Sequence, residues 1–348
     1  MRIAVNTGGG DAPGLNAVIR AIVLSSLNRG WEVLGIRRGY DGLFTEGGVV
    51  PLDQKSVRGI THLGGTILGT TNRGNPLETP GRSDQIVAAI RAHGIDGLIA
   101  IGGDGSFKIA AHLHTQGIPV IGVPKTIDND LRATQVTFGF ATAVQTATDA
   151  LDKLHSTTEA HQRVMVVELM GRHAGWIALY AGLAGTCDAI LIPEIPYDIE
   201  KVCAKIEDRY RSGREFALVV AAEGAFERGG EPAYIARAKP GAAARLGGVA
   251  EKIAAQIAER TGRETRSLVL GHLQRGGAPN AEDRLLSLRF GAAAVEFAAQ
   301  GQWGTMVALN PPDMEAVPLQ QAIGGIKTVP LDSDMVRTAR SLGTSFGD

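Results

Sequence analysis

Apolar residues along this chain gather in short, nearly unbroken runs: Ile3–Val5, Glu32–Ile36, Gly97–Ile101, Pro119–Val123, Arg163–Val167, Ala189–Ile192, Phe216–Val220 and Ser267–Leu270. Such runs lack the polar face of a half-exposed sheet, so they predict parallel strands covered on both sides. Between them, Ala17–Leu27, Ser83–His93, Thr142–Leu154, Ile199–Arg211 and Val249–Arg260 carry apolar residues at helical spacing. Gly30 stops the first of these, while Ser83 and Gly94 bracket the second as N-cap and terminator. Strands alternating with helices of this length predict an α/β fold, doubly wound, with mostly parallel sheets and flanking helices. In such sheets ligands bind beyond the carboxyl ends of strands, so the chemistry is sought there.

Two strand ends run into glycine. The first strand leads to Thr7-Gly8-Gly9-Gly10-Asp11-Ala12-Pro13-Gly14 and a helix. Successive glycines let backbone N–H groups approach an anion, and the helix start adds partial positive charge. Neither GxGxxG nor a Walker A lysine is present, so a ligand-free tight turn is an equal reading of this element alone. The run Gly97–Ile101 ends in Gly102-Gly103-Asp104-Gly105-Ser106 before another helix. A carboxylate among glycines suits one Mg²⁺ whose other ligands are waters and phosphate oxygens; the plainer alternative makes Asp104 an N-cap.

After Pro119–Val123 comes Pro124-Lys125-Thr126-Ile127-Asp128-Asn129-Asp130. In extended backbone Asp128 and Asp130 would face one side of a cleft. Their repulsion would raise one carboxyl, which suits a base taking a hydroxyl proton. Thr126 adds a hydroxyl and Lys125 a cation for phosphate oxygens. A solvated Asx turn is the rival for Asn129 and Asp130.

Composition changes the picture in three ways. Glycine, 46 of 348 residues, is nearly twice the usual share of ~7%, in keeping with many close backbone approaches. Thirty-five Lys+Arg against thirty-six Asp+Glu give a net charge of -1, which removes the general electrostatic case for nucleic acid or a membrane surface. Cys187 and Cys203 have neither zinc nor disulfide spacing, no signal peptide is recognisable, and no apolar stretch reaches ~18 residues. A reduced, cytoplasmic enzyme is therefore expected.

GGGDAPG, GGDGS, PKTIDND, ELMGRHAG and LGHLQRGG, in this order and over about residues 3 to 295, closely resemble the 6-phosphofructokinase family. The resemblance implies that family's fold, two similar Rossmann-like lobes, with Mg²⁺-dependent phosphoryl transfer to the 1-hydroxyl of fructose 6-phosphate in glycolysis. It divides the chain into a donor lobe, 1–138 with a return segment of about 255–310, a sugar-phosphate lobe, 139–254, and a C-terminal extension, 311–348. It makes Asp128 the base, with Thr126, Ile127 and Asp130 beside it around the sugar and the transferred phosphate. Asp104 falls at the metal position, and Gly10, Gly103, Gly105 and Ser106 would cradle the nucleotide phosphates. Arg73 and Gly74 match a segment reaching toward the donor; Met170, Gly171 and Arg172 match one that closes on the sugar. Glu223 would hold a sugar hydroxyl.

The resemblance places the 6-phosphate among Arg163, Arg266, His272 and Arg275, and makes Leu273 and Gln274 substrate-binding positions as well. Several guanidinium forks and a histidine also suit a dianion on chemical grounds, against the rivals of solvated arginines and a buried, structural His272. Arg163 and Arg266 would serve a neighbouring subunit's site, so a homo-oligomer, a dimer or tetramer, is implied.

Members of the family use ATP or pyrophosphate. Gly105 leaves room for an α-phosphate where pyrophosphate-dependent members carry aspartate. Lys125 is a pyrophosphate-type residue that one ATP-dependent subgroup also carries. Steric and charge exclusion outweighs an additive cation, so ATP is expected. On the first helix Arg20 stands at an effector arginine position, but Leu24 replaces the next, which weakens the familiar allosteric site. The alternatives are a pyrophosphate enzyme, an NAD or lipid kinase sharing GGDG, and a catalytically silent nucleotide-binding paralogue.

Overall fold

The computed structural model describes residues 1–71, 75–236 and 245–348. Two compact units form: residues 1–142 with 275–326, and residues 143–274 with 327–348.

The first unit is built on a seven-stranded sheet. Its strands are β1 (Arg2–Thr7), β2 (Glu32–Ile36), β3 (Val49–Pro51), β4 (Gly97–Gly102), β5 (Val120–Pro124), β12 (Thr305–Asn310) and β13 (Asp313–Pro318). The order is β13-β12-β5-β4-β1-β2-β3, parallel from β12 to β2, with β3 and β13 antiparallel at the edges. Helices α1 (Leu15–Leu27), α2 (Arg82–Ala92), α3 (Asp104–Thr115), α8 (Ala281–Ala299) and α9 (Leu319–Ala322) belong to this unit. Alternate residues of β1 enter two different cores. Ile3 and Val5 pack with Ile19, Ile22 and Phe290, whereas Ala4 packs with Ile86, Ile90 and Phe107. Burial on both faces is why these strands read as unbroken apolar runs.

From β1 the chain moves first to β2 and later to β4 on the opposite side, so the winding reverses between β1 and β4. Open α/β sheets leave their ligand crevice at that point. Thr7 pairs with Ile101 and Gly102 with Pro124, so the ends of β1, β4 and β5 are level. Backbone bonds continue the alignment past the strands, from Gly8 N to Ile101 O and from Lys125 N to Gly102 O, each 2.9 Å.

The second unit has a parallel sheet in the order β11-β6-β8-β7. These are β6 (Val164–Leu169), β7 (Ala189–Leu191), β8 (Ala217–Ala222) and β11 (Thr265–Val269). Helices α4 (Phe140–Ala160, entering at Ala143), α5 (Trp176–Ala184), α6 (Ile199–Arg211), α7 (Val249–Thr261) and α10 (Asp334–Ser341) belong here. A short antiparallel pair, β9 (Tyr234–Ala236) with β10 (Arg245–Leu246), lies between β8 and α7 in the chain.

The expected division changes in two places. The chain returns to the first unit at Arg275 rather than near 255, because β11 pairs with β6. Residues 311–348 are no appended extension. Strand β13 pairs with β12 in the first unit, while Ser345 bridges to Ala189 and Phe346 is buried in the second. The two sheets are also unequal, seven strands against four.

Candidate active site

Three strand ends of the first unit build one polar corner. After β1, the Gly8–Gly10 turn is packed so closely that a Cβ at Gly8 would lie 2.6 Å from Ser106 Oγ, and one at Gly10 would lie 2.9 Å from an Arg275 guanidinium nitrogen. After β4, Gly103 is the N-cap of α3 and Asp104 its first residue. Asp104 is thus not the cap; its half-exposed carboxylate meets Lys108 Nζ at 2.6 Å. After β5, Lys125 is buried and its ammonium donates to the Gly10 carbonyl. Burial, and secondarily the Arg275 charge, pushes Lys125 down to about 8, against the opposing pull of Asp11, Asp128 and Asp130.

A cavity of about 260 Å³ opens from this corner. Gly8, Gly9, Gly105 and Ser106 line one part, Tyr40, Pro76, Ala100 and Ile109 supply apolar wall, and Asn6, Asp41, Asn75 and Arg82 supply polar groups. A Cβ at Gly105 would meet no atom within 4 Å. Burial pushes the Tyr40 phenol up to about 12 despite its hydrogen bond with Asn6. Arg73 and Gly74 lie outside the described residues.

The segment after β5 departs from the extended reading. Asn129 has φ 51°, in the left-handed region, so Asp128 and Asp130 do not alternate along a strand. The solvated Asx-turn reading does not describe Asn129 either: it is buried, and its Oδ1 accepts from Thr137 N, eight residues on, at 3.2 Å. Thr137 Oγ1 donates to Thr126 O at 2.7 Å, and Asp128 N donates to Thr126 Oγ1 at 3.1 Å. Ile127 points into the core at 0% exposure, so its side chain is a foundation of the loop rather than a ligand contact. Lys125 and Phe138 form a β-bridge across the loop's base.

That base is fastened by Asp283, which the motif reading missed. Its fully buried carboxylate accepts from Gly139 N (2.8 Å), Thr142 N (2.7 Å) and Thr142 Oγ1 (2.6 Å). Two of these donors start α4, so Asp283 caps that helix from a distant part of the chain. It sits between Glu282 and Arg284 in the charged first turn of α8, so nothing in the sequence singles it out.

In the second unit, the ends of β6 and β8 bring Met170, Gly171 and Arg172 beside Glu223. Glu223 N bonds Leu169 O at 2.8 Å and Gly224 N bonds Gly171 O at 3.1 Å. Gly224 has to be glycine because a Cβ would strike the Arg172 carbonyl, and Gly171 has φ 138°. Arg172 Nε is buried with no hydrogen-bond partner among the described residues. Arg163 and Arg266 both turn toward one oxygen of Glu264, at 3.7 and 3.0 Å. Glu264 was also missed, although its place between Arg263 and Arg266 was a visible charge signal. His272 and Leu273 are exposed, which removes the buried-histidine reading, whereas Gln274 is buried and donates to Gly271 O at 3.2 Å. Arg275 belongs to the first unit, against Gly10. On α1, Arg20 donates to Val57 O at 2.9 Å.

Comparison with known proteins agrees with this architecture. The family model described as Phosphofructokinase matches residues 2–298. Over its full length the chain is 53% identical to the ATP-dependent 6-phosphofructokinase of Chloroflexus aurantiacus, covering 98% of that protein. It is 49% identical, over 95% of this chain and 97% of the other, to the pyrophosphate–fructose 6-phosphate 1-phosphotransferase of Amycolatopsis mediterranei. Among solved structures, the T-state phosphofructokinase of Pichia pastoris matches with a TM-score of 0.83 and 29% identity, over 99% of this chain and 37% of that longer one.

Proposed function

This chain belongs to the phosphofructokinase family, and from that premise we propose that it transfers the terminal phosphoryl group of ATP to the 1-hydroxyl of fructose 6-phosphate, releasing ADP and fructose 1,6-bisphosphate. The observation that carries the choice of donor is Gly105. It lines the cavity at the phosphate turns, and the space a side chain would take there is open. An aspartate at this position would enter that space with a negative charge; glycine leaves it to an α-phosphate. The apolar wall of Tyr40, Ala100 and Ile109 suits a nucleoside beyond the phosphates. Pyrophosphate is the second reading, favoured by the buried ammonium of Lys125 beside Gly10.

Asp104 fits a nucleotide-bound Mg²⁺. It offers one hard oxygen donor at a helix start, half-exposed and, among the described residues, paired with the flexible Lys108. One protein carboxylate can suffice for an ion carried in largely by its own waters and phosphates. When bound, the ion would neutralise charge on the donor's phosphate oxygens.

Catalysis on this reading is positioning and electrostatics. Asp128 accepts the proton as the sugar oxygen attacks phosphorus, and Thr126 fixes the loop through its bond from Asp128 N. Arg172 supplies a cation to the equatorial oxygens and Glu223 orients a sugar hydroxyl. Arg163, Arg266, His272 and Arg275 hold the 6-phosphate, the first two for a neighbouring copy. The exposed edge strand β11 supports self-association, since Leu268, Val269 and nearby Leu273 are 38%, 54% and 68% exposed. Replacing Gly105→Asp tests the donor: kcat/KM for ATP should fall by at least tenfold more than that for pyrophosphate. Equal losses would remove the steric argument.

A further inference from the structure

Of the residues expected around the 6-phosphate, Arg275 is placed differently from its companions. Arg163, Arg266 and His272 belong to the second unit, but the chain has already re-entered the first at Arg275. Its guanidinium lies flat on the glycine turn after β1. A Cβ at Gly10 would come within 2.9 Å of one nitrogen and 3.3 Å of Cζ, so a side chain there would crowd the guanidinium. One N–H donates to Asp11 O at 3.2 Å, and among the described residues no carboxylate forms an ion pair with it.

The ammonium of Lys125 reaches the same turn, through the Gly10 carbonyl. The fold therefore holds two cations against one loop of backbone. Asp11, Asp128 and Asp130 face Lys125 as well, yet burial and the Arg275 charge dominate its electrostatics. Like charges held together are unfavourable until an anion arrives between them. The remaining donors of a planar fork are suited to phosphate oxygens. This is also the corner from which the donor cavity opens, with Gly8 and Gly9 in its lining.

We propose that Arg275, together with Lys125, seats the terminal phosphate of the donor above Gly10, so that Arg275 contacts the group being transferred and not the 6-phosphate alone. The inference rests on the phosphoryl-transfer reading above. It assigns Arg275 to a phosphate that is present before any sugar phosphate binds, and the same chemistry serves the terminal phosphate of ATP or of pyrophosphate.

Calorimetric titration with the Mg²⁺ complex of the β,γ-imido analogue of ATP, and separately with pyrophosphate, both without sugar phosphate, tests it. Arg275→Gln should weaken binding by about ten- to a hundredfold, the effect of losing a charge-assisted fork, and Arg275→Lys by less. Wild-type affinity for both probes in Arg275→Gln, with only the KM for fructose 6-phosphate raised, would overturn the proposal. Should Arg275→Gln fail to fold, arginine modification of the wild-type protein followed by peptide mass analysis decides. Protection of Arg275 by pyrophosphate alone supports the assignment, and protection by fructose 6-phosphate alone refutes it. Neither readout depends on turnover, so a wild-type protein inactive with both donors would sink the functional reading while leaving this assignment separately decided.

Discussion

A side chain's type and neighbours set what it can do at the corner where β1, β4 and β5 end. Asp128 is the candidate base, so Asp128→Asn should keep the fold and the affinity for sugar phosphate while lowering kcat by about two to four decades. A steady-state comparison at saturating substrates checks this, and a wild-type kcat would exclude the role. Lys125 carries a pH prediction. Its value in the free protein, about 8, lies below the ordinary one because the charged form is buried beside Arg275, while Asp11, Asp128 and Asp130 partly oppose that. A bound phosphate would favour the charged form and raise the value again, so donor binding should take up a proton. Donor affinity should then fall as pH rises through about 8, approaching tenfold per pH unit, and Lys125→Met should flatten the profile. Titration between pH 7 and 9 in buffers of different ionisation enthalpy measures this; an equally flat wild-type profile would contradict it.

What was legible is position: Asp104, Thr126 and Asp128 follow strand ends, as their motifs imply. Roles that depend on a distant partner were not legible. Ile127 belongs to the motif yet faces the core, and Asn129 turns the chain left-handed, so the extended spacing expected of Asp128 and Asp130 does not hold.

At the scale of elements, the central parallel strands were readable because both faces are apolar. The edge pair β12–β13 was not, since its outer strand alternates and carries Asp313 and Glu315 in exposed positions. The long helix α8 also escaped. Its first turn is acidic and its buried positions mix Asp283, Ser287 and Gly291 with leucine and phenylalanine, so no single apolar stripe marks it. Yet α8 supplies the fastening of the loop after β5. Removing the carboxylate in Asp283→Ala would leave Gly139 N, Thr142 N and Thr142 Oγ1 without their acceptor in a buried place. A loss of about 3 kcal/mol or more is expected, seen as a thermal midpoint lower by roughly 6–12 °C. An unchanged midpoint would mean that the loop is held by other contacts.

Across the whole molecule, two α/β units share one chain that passes between them at residues 142–143, 274–275 and 326–327. The sequence pattern conveyed the class of fold but not those crossings, because no change of composition marks them. Covalent order alone places His272 and Arg275 in one motif, whereas the fold allots them to different units. The most direct test of the account is a side-by-side assay of the purified protein with Mg²⁺ and fructose 6-phosphate, supplying ATP or pyrophosphate and following formation of fructose 1,6-bisphosphate. The account predicts product with ATP at a kcat/KM well above that with pyrophosphate. Faster turnover with pyrophosphate would contradict the role given to Gly105, and no bisphosphate from either donor would contradict the kinase itself.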